Sequence, residues 1–264
     1  GIFAVCQSSE MFFLDKKERL ELAKFVVENT PKHIGVIASG HVAKEREDQI
    51  EEAKAIIDAG VDSYVFISNQ FAKPDESEDV AKKNIEYMID NIPCDSFGIY
   101  ECPYPYKRLV APETLKWCAE TGKFAFLKDT CCDLDGLKAK VEAVKGTPLK
   151  IFNANSATLL ESLKMGCSGF SGVMANFHAD MYGWLCKNFK EQPEKAELMQ
   201  AFLGFASVIE CQVYPVNAKY HMNLEGVPMT LNCRNKDKND LTGSRKLEVE
   251  QLHTLYKHMR KELL

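Results

Sequence analysis

The sequence predicts a parallel α/β fold of the barrel class. Short apolar runs alternate with helical periods along most of the chain, and each run is continuous rather than alternating, as a strand buried on both faces requires. No Gly/Ser-rich linker interrupts the series. At 264 residues, with 45% hydrophobic and 27% charged residues, the chain is long enough for a single large core.

The elements follow in order. "GIFAV" reads as a strand, and "LDKKERLELAKFVVENT" as a helix opened by Asp15 and Glu18 at capping-box spacing, with Leu20, Ala23, Val26 and Val27 at helical intervals. "HIGVIAS" is the next strand. A helix with Ile50, Ala53, Ile56 and Ile57 on one face follows and ends at Gly60. "DSYVFIS" leads into a helix from Val80 to Ile89, and "SFGIYE" into a helix from Pro112 to Ala119. "FAFLK" precedes a helix from Leu134 to Val144, "LKIFN" one from Ser156 to Met165, and "SGFSGV" a last helix after Val173. From Pro193 the chain reads as helical only, apart from the polar insert "NCRNKDKNDLTGS".

Seven strand-helix units suggest a (β/α)8 barrel lacking one unit, since eight closes such a barrel. The chain opens inside a strand without an initiator methionine, so an N-terminal strand and helix are expected to be absent from this sequence. Residues 1–192 are thus expected to be barrel units two to eight, and residues 193–264 a C-terminal helical region. A doubly wound open sheet is the other reading, but no G-x-G-x-x-G follows the first strand.

Composition narrows the function. A formal charge of −5 gives no support for nucleic-acid or membrane binding, and no apolar run spans a bilayer. The ten cysteines include no C-x-x-C pair, and the six histidines show no H-x-H or H-E-x-x-H spacing. Reduced thiols, a cytoplasmic location and no metal are expected.

In a barrel the C-terminal strand ends form the active face. There fall Lys128 after "FAFL", Tyr100 after "FGI", Ser8 and Ser9 after the first strand, Asn153 and Asn155 after "KIF", and Ser171. A lysine at a strand end ordinarily snorkels to water. Turned into the mouth instead, it loses hydration, which favours the neutral amine and attack on a carbonyl carbon to form a Schiff base. A nearby tyrosine hydroxyl can then pass protons. Glu101, one residue after Tyr100, is sent to the opposite face by strand alternation, which favours a structural role. Cys6 and Cys102 either line the mouth or react there. Tyr104 and Tyr106 either cap the pocket or pack at a subunit contact.

Several motifs in order carry a resemblance. "FLKDTCCDL", "GIYECPYP", "AVCQSSEMFFL", "SGFSGVMANF" and "VNAKYHMNLEG" resemble segments of the dihydrodipicolinate synthase and N-acetylneuraminate lyase family, barrel enzymes that act through a lysine-pyruvate imine. The resemblance implies that Lys128 forms the imine and that Tyr100 shuttles protons, with Pro103 in register within a Tyr-Asn-x-Pro motif. It implies that Ser8, with backbone N–H groups around Ser9, holds the carboxylate, with Glu10 and Leu14 retained. It also implies a homodimer or homotetramer. Gln7 stands where the synthase has a relay threonine, and Phe71 where it has a tyrosine given across a dimer interface. Phe71 is therefore expected to plug that interface. Pro105 stands where an arginine binds the second substrate, and Arg108 is the candidate to compensate. Ser156 and Ala157 occupy the lyase's acidic sugar-binding positions. The implied activity is a class I aldolase or lyase, working without a cofactor, that acts on pyruvate or a related 2-oxo acid with an aldehyde or sugar-acid partner and is expected to be neither a true synthase nor a sialic acid lyase. A deoxy sugar acid dehydratase and a non-catalytic barrel that binds 2-oxo acids are the alternatives.

Overall fold

The computed structural model describes the backbone of residues 1–264 and every side chain other than that of Glu210. Strands and helices alternate: β1 (Ile2–Phe3), α1 (Lys16–Asn29), β2 (Val36–Ala38), α2 (Arg46–Asp58), β3 (Ser63–Ile67) and α3 (Glu78–Asn91). They continue as β4 (Phe97–Tyr100), α4 (Pro112–Glu120), β5 (Phe124–Asp129), α5 (Leu134–Ala143), β6 (Lys150–Asn153), α6 (Leu159–Met165), β7 (Gly169–Phe170) and α7 (Ala175–Asn188). Then come α8 (Pro193–Ala206), α9 (Val216–Leu224) and α10 (Gly243–Leu263). The sheet has seven strands in sequence order, and the β1-to-β5 pairings are all parallel. Each strand read from the sequence is present, most of them trimmed at one or both ends.

The chain divides into two compact units, Gly1–Phe152 and Asn153–Leu264. In the first, local signals act as read. Asp15 Oδ1 accepts the Glu18 N–H at 2.8 Å while Glu18 Oε2 accepts the Asp15 N–H at 2.9 Å, a closed capping box at the start of α1. Pro112 occupies the first turn of α4, where its missing N–H costs nothing. All five residues of β3 are buried, which explains its unbroken apolar run. Phe66 stacks on Phe97 with ring centroids 5.0 Å apart, and Phe124 packs on both.

The inward face of α2 differs from the expected one. Gln49, Glu52, Ala53 and Ile56 are buried, while Ile50 and Ile57 are only half-buried. The two polar residues are buried because they are paired. Glu52 takes a bidentate ion pair from the buried Arg19 of α1, at 2.5 and 2.9 Å. Gln49 bonds His41 Nε2 at 3.1 Å and donates to the Ala43 carbonyl. Such pairing offsets much of the desolvation cost that would otherwise exclude them.

The second unit is mainly helical, and the change at Pro193 lies within it. Leu159, Leu163, Met181, Leu185, Met199 and Leu203 form the centre of its core. Phe170 and Tyr182 stack with centroids 4.0 Å apart, and the Tyr182 hydroxyl donates to Ser156 Oγ at 2.8 Å. Helix α7 is kinked at His178, whose φ/ψ of −136° and 47° leave the helical region.

Candidate active site

Strands β4 and β5 bring two of the predicted residues together. Their parallel register pairs Tyr100 with Lys128 at the C-terminal ends, so both side chains leave the sheet in the same direction. The Lys128 Nζ lies 4.4 Å from the Tyr100 ring centroid and 5.4 Å from that of Phe3. Phe3, at the end of β1, meets the Tyr100 ring edge-on at 5.9 Å. The lysine does not snorkel: it is 7% exposed and Tyr100 is 6% exposed. Gly98, two residues before Tyr100, makes room for the Phe126 ring, since a Cβ there would sit 2.2 Å from Phe126 Cζ.

The turn after β1 supplies the third side of the site. Gln7 Oε1 lies 3.5 Å from the Tyr100 hydroxyl and 3.2 Å from Cys102 Sγ. The side chain at the relay position therefore touches the tyrosine, but it presents an amide carbonyl rather than a hydroxyl. Ser8 Oγ lies 2.9 Å from Cys6 Sγ. Ser9 is placed otherwise than expected. Its hydroxyl donates to the Ala4 and Cys6 carbonyls and accepts the Cys6 N–H, and its own N–H goes to the Cys6 carbonyl. The Glu10 N–H is likewise spent on Gln7 O, so the amides at Ser9 and Glu10 close the turn. Cys102 is wholly buried, and burial pushes its thiol up to about 11, so it lines the site as a neutral group.

Phe71 and Arg108 are both engaged within the chain. Phe71 is 2% exposed within its own chain and packs on Phe66 and His41, with centroids 5.3 and 5.2 Å away. The ring thus packs in the core of its own chain. Arg108 is also committed: its guanidinium donates to the Lys73 carbonyl at 2.7 Å and to the Glu76 carbonyl at 3.2 Å, and pairs with Glu78 at 2.7 Å. It therefore braces the segment before α3 rather than standing ready for a second carboxylate.

Asn153 and Ser171 lie in the second unit. Asn153 is 1% exposed and spends both ends of its amide locally, donating to Thr158 Oγ1 at 3.0 Å and accepting the Asn155 N–H at 2.7 Å. The Ser171 N–H donates to the Asn153 carbonyl at 2.8 Å, and the residue is half-buried.

Other contributors escape sequence reasoning. The buried Asn69 amide nitrogen lies 2.7 to 2.9 Å from the carbonyls of Cys102, Tyr104 and Tyr106, and so shapes the loop after β4. Tyr106 returns its hydroxyl to the Asn69 and Ala72 carbonyls, whereas Tyr104 is half exposed with its ring against Phe12. Glu101, as expected from alternation, faces away from Tyr100 and is fully buried. It pairs with Lys140 of α5, which also holds Asp129. Nothing in the sequence around Lys140 marks it as buried, so only Glu101 could have hinted at this cluster. Among the described residues no group of three or more His, Cys, Asp or Glu could hold a metal ion, and no helix is long and apolar enough to cross a membrane.

A model of the dihydrodipicolinate synthetase family matches residues 1–256. A 4-hydroxy-tetrahydrodipicolinate synthase of Clostridium perfringens (strain ATCC 13124) is 26% identical over 219 residues, 82% of this chain and 72% of that protein. One of Shewanella piezotolerans is 23% identical over 232 residues, 86% of this chain and 76% of that protein. Among solved structures, a prophage protein of the dihydrodipicolinic acid synthase family from E. coli K12, in complex with pyruvate, superposes with a TM-score of 0.85 at 20% identity, covering 97% of this chain and 86% of that one. CdNal from Clostridium difficile, in complex with mannosamine, gives 0.83 at 17% identity, covering 97% of this chain and 86% of that one. At these identities the structures establish a shared fold.

Proposed function

The chain belongs to the dihydrodipicolinate synthetase family, and from that premise we propose that it is a class I aldolase or lyase that makes or breaks a C–C bond through a Lys128 imine with pyruvate or a related 2-oxo acid. The observation that carries this reading is the register pair of Tyr100 and Lys128, with the amine 4.4 Å from the phenol ring in a buried site. The Lys128 Nζ lies against the Phe3 and Tyr100 rings, and the reaction requires its neutral amine as the nucleophile. Attack on the keto carbon gives a carbinolamine. Loss of its hydroxyl as water needs a proton donor, and the Tyr100 hydroxyl is the candidate. The protonated imine then serves as the electron sink for the carbanion, so the reaction requires no metal or organic cofactor. Ser8 is the hydroxyl proposed to hold the substrate carboxylate, since Ser9 is occupied by its own turn.

Departures around this pair argue against both named relatives' second substrates. The relay position holds the Gln7 carbonyl, which can accept the Tyr100 proton's hydrogen bond but cannot pass a proton on. Pro105 offers no cation, and Arg108 is engaged elsewhere. We therefore expect activity as neither a true 4-hydroxy-tetrahydrodipicolinate synthase nor a sialic acid lyase. A deoxy sugar acid dehydratase using the same imine remains compatible with these residues, and so does a barrel that only binds 2-oxo acids.

The test is borohydride reduction in the presence of a panel of 2-oxo acids, followed by an aldehyde and sugar-acid screen with whichever acid forms an adduct. Trapping of pyruvate without turnover of any partner supports the binding-only alternative. Elimination of water from a deoxy sugar acid supports the dehydratase.

A further inference from the structure

Behind the two strand ends lies a buried triad of charges. Glu101 follows Tyr100, Asp129 follows Lys128, and both are 0% exposed; Lys140 of α5 is 3% exposed and bonds both. Strand alternation turns the two carboxylates away from the substrate side. The Glu101 carboxylate also accepts the Val110 N–H at 2.8 Å and the Thr130 N–H at 2.9 Å. Thr130 Oγ1 returns to the Glu101 carbonyl at 2.7 Å, and the Glu101 N–H donates to the Lys128 carbonyl at 3.2 Å. Asp129 Oδ1 accepts the Cys131 N–H at 3.0 Å, and its other oxygen takes Lys140 Nζ at 2.5 Å. The bonds of Glu101 to Thr130 and to the Lys128 carbonyl tie the backbone just beyond Tyr100 to that just beyond Lys128, and Lys140 joins the two carboxylates from α5.

We propose that Glu101, Lys140 and Asp129 are positioning residues that lock the ends of β4 and β5 in the register holding the Lys128 amine against Tyr100. This inference rests on the imine reading above. Burying three charges is costly unless each is paired and hydrogen-bonded, and a neutral asparagine, the residue of the Tyr-Asn-x-Pro motif here, would avoid that cost. What the charged version adds is a carboxylate with enough lone pairs for three donors from three places: α5, the Val110 segment and the chain after Lys128.

That acceptor set is strongest when Glu101 is ionised. Burial raises its pKa to about 7, opposed by Lys140 and reinforced by Asp129. Burial draws Lys140 downward, but the two carboxylates outweigh it and raise it, so the ammonium persists. Cys131, beside Asp129, is pushed up to about 12 and stays neutral; Lys107 reaches the Thr130 carbonyl from outside. Protonation of Glu101 on the acid side would weaken its hold on these three donors.

The experiment uses the full chain and Glu101→Gln, which leaves Lys140 and Asp129 as a charge-balanced pair. Amide hydrogen exchange is followed at residues 101, 110 and 130, together with the rate of borohydride-trapped adduct at saturating pyruvate. Exchange at these amides is expected to rise, and trapping to slow by about tenfold with little change in half-saturation, as small misplacements of reacting groups do. The wild-type trapping rate should show an inflection near pH 7 that the variant lacks. Unchanged exchange at residue 101, which reports the register directly, overturns the proposal whether or not an imine forms. Faster exchange with a wild-type trapping rate and pH profile overturns it too, leaving only a structural ion cluster. If wild-type protein forms no adduct, the imine reading fails, and with it the role assigned to the triad, even where the exchange arm shows that the triad holds the strand register. Should Glu101→Gln not fold, Asp129→Asn, which leaves Glu101 and Lys140 paired, carries the same readouts.

Discussion

Two buried histidines should make the helical unit acid-sensitive, and His178→Leu should measure the effect. His178 and His221 are 0% exposed, their rings lie 5.3 Å apart, and neither nitrogen of either ring has a hydrogen-bond partner among the described residues. Burial lowers His178 from 6.5 to about 3, aided by His221 and His253, and lowers His221 to about 4, aided by His253. The other polar groups around them are Tyr256, which donates to Asp180; Arg260, which pairs with Asp180; and Glu225, 3.0 Å from His253 Nδ1. Because the folded pKa is depressed, the unfolded chain binds the extra protons. Stability is therefore full above about pH 6.5 and declines as pH falls toward the folded values. At pH 5 the unfolded His178 is about 1.5 pH units below its own pKa, worth about 2 kcal/mol for this residue alone. His178→Leu removes that contribution while filling the same space. Urea unfolding followed through Trp184, in a Trp117→Phe background that leaves it the sole tryptophan, should show the variant losing about 2 kcal/mol less than its parent between pH 8 and pH 5. Equal losses in the two proteins would show that His178 is protonated in the fold, and the burial reasoning would be wrong.

Tyr100→Phe keeps the ring beside Lys128 but removes the hydroxyl near Gln7, so deuterium uptake into the pyruvate methyl group, read by NMR, should slow by about 10² with adduct formation retained in part. An undiminished rate removes Tyr100 from the proton path. Gly98→Ala drives a Cβ into the Phe126 ring and should destabilise by about 1–3 kcal/mol, with Phe126→Leu in the same chain restoring most of the loss. No rescue would mean the constraint is not steric. Phe71→Ala should cost about 3–5 kcal/mol in urea unfolding and leave sedimentation unchanged, because the ring is buried in its own chain. A weakened association at unchanged stability would restore the interface role.

The order of strands and helices was readable because parallel strands buried on both faces must be continuous apolar runs, as in "SYVFI", and because capping signals such as Asp15 and Glu18 act locally. Tyr100 and Lys128 were readable for the same reason: a polar residue ending such a run must face the sheet's end, and β4 and β5 put the two in register. Buried polar pairs were not readable. Glu52 and Gln49 look like surface residues until Arg19 and His41 are seen beside them, and Lys140 looks solvated until Glu101 and Asp129 meet it. The fates of Ser9, Phe71 and Arg108 also depended on neighbours far along the chain or on turn geometry, which family position alone does not reveal. A side chain's position in a motif does not by itself say what it faces, because the loop that carries it takes its course from distant side chains, as Asn69 holds the carbonyls of the loop after β4.

Whether Lys128 is the nucleophile is read out by peptide mass mapping after borohydride reduction with pyruvate. One reduced pyruvate per chain is expected, carried by the peptide containing Lys128, and none in Lys128→Ala at unchanged helical content. An adduct on another lysine, no adduct with any 2-oxo acid, or a Lys128→Ala protein that still traps pyruvate would contradict it.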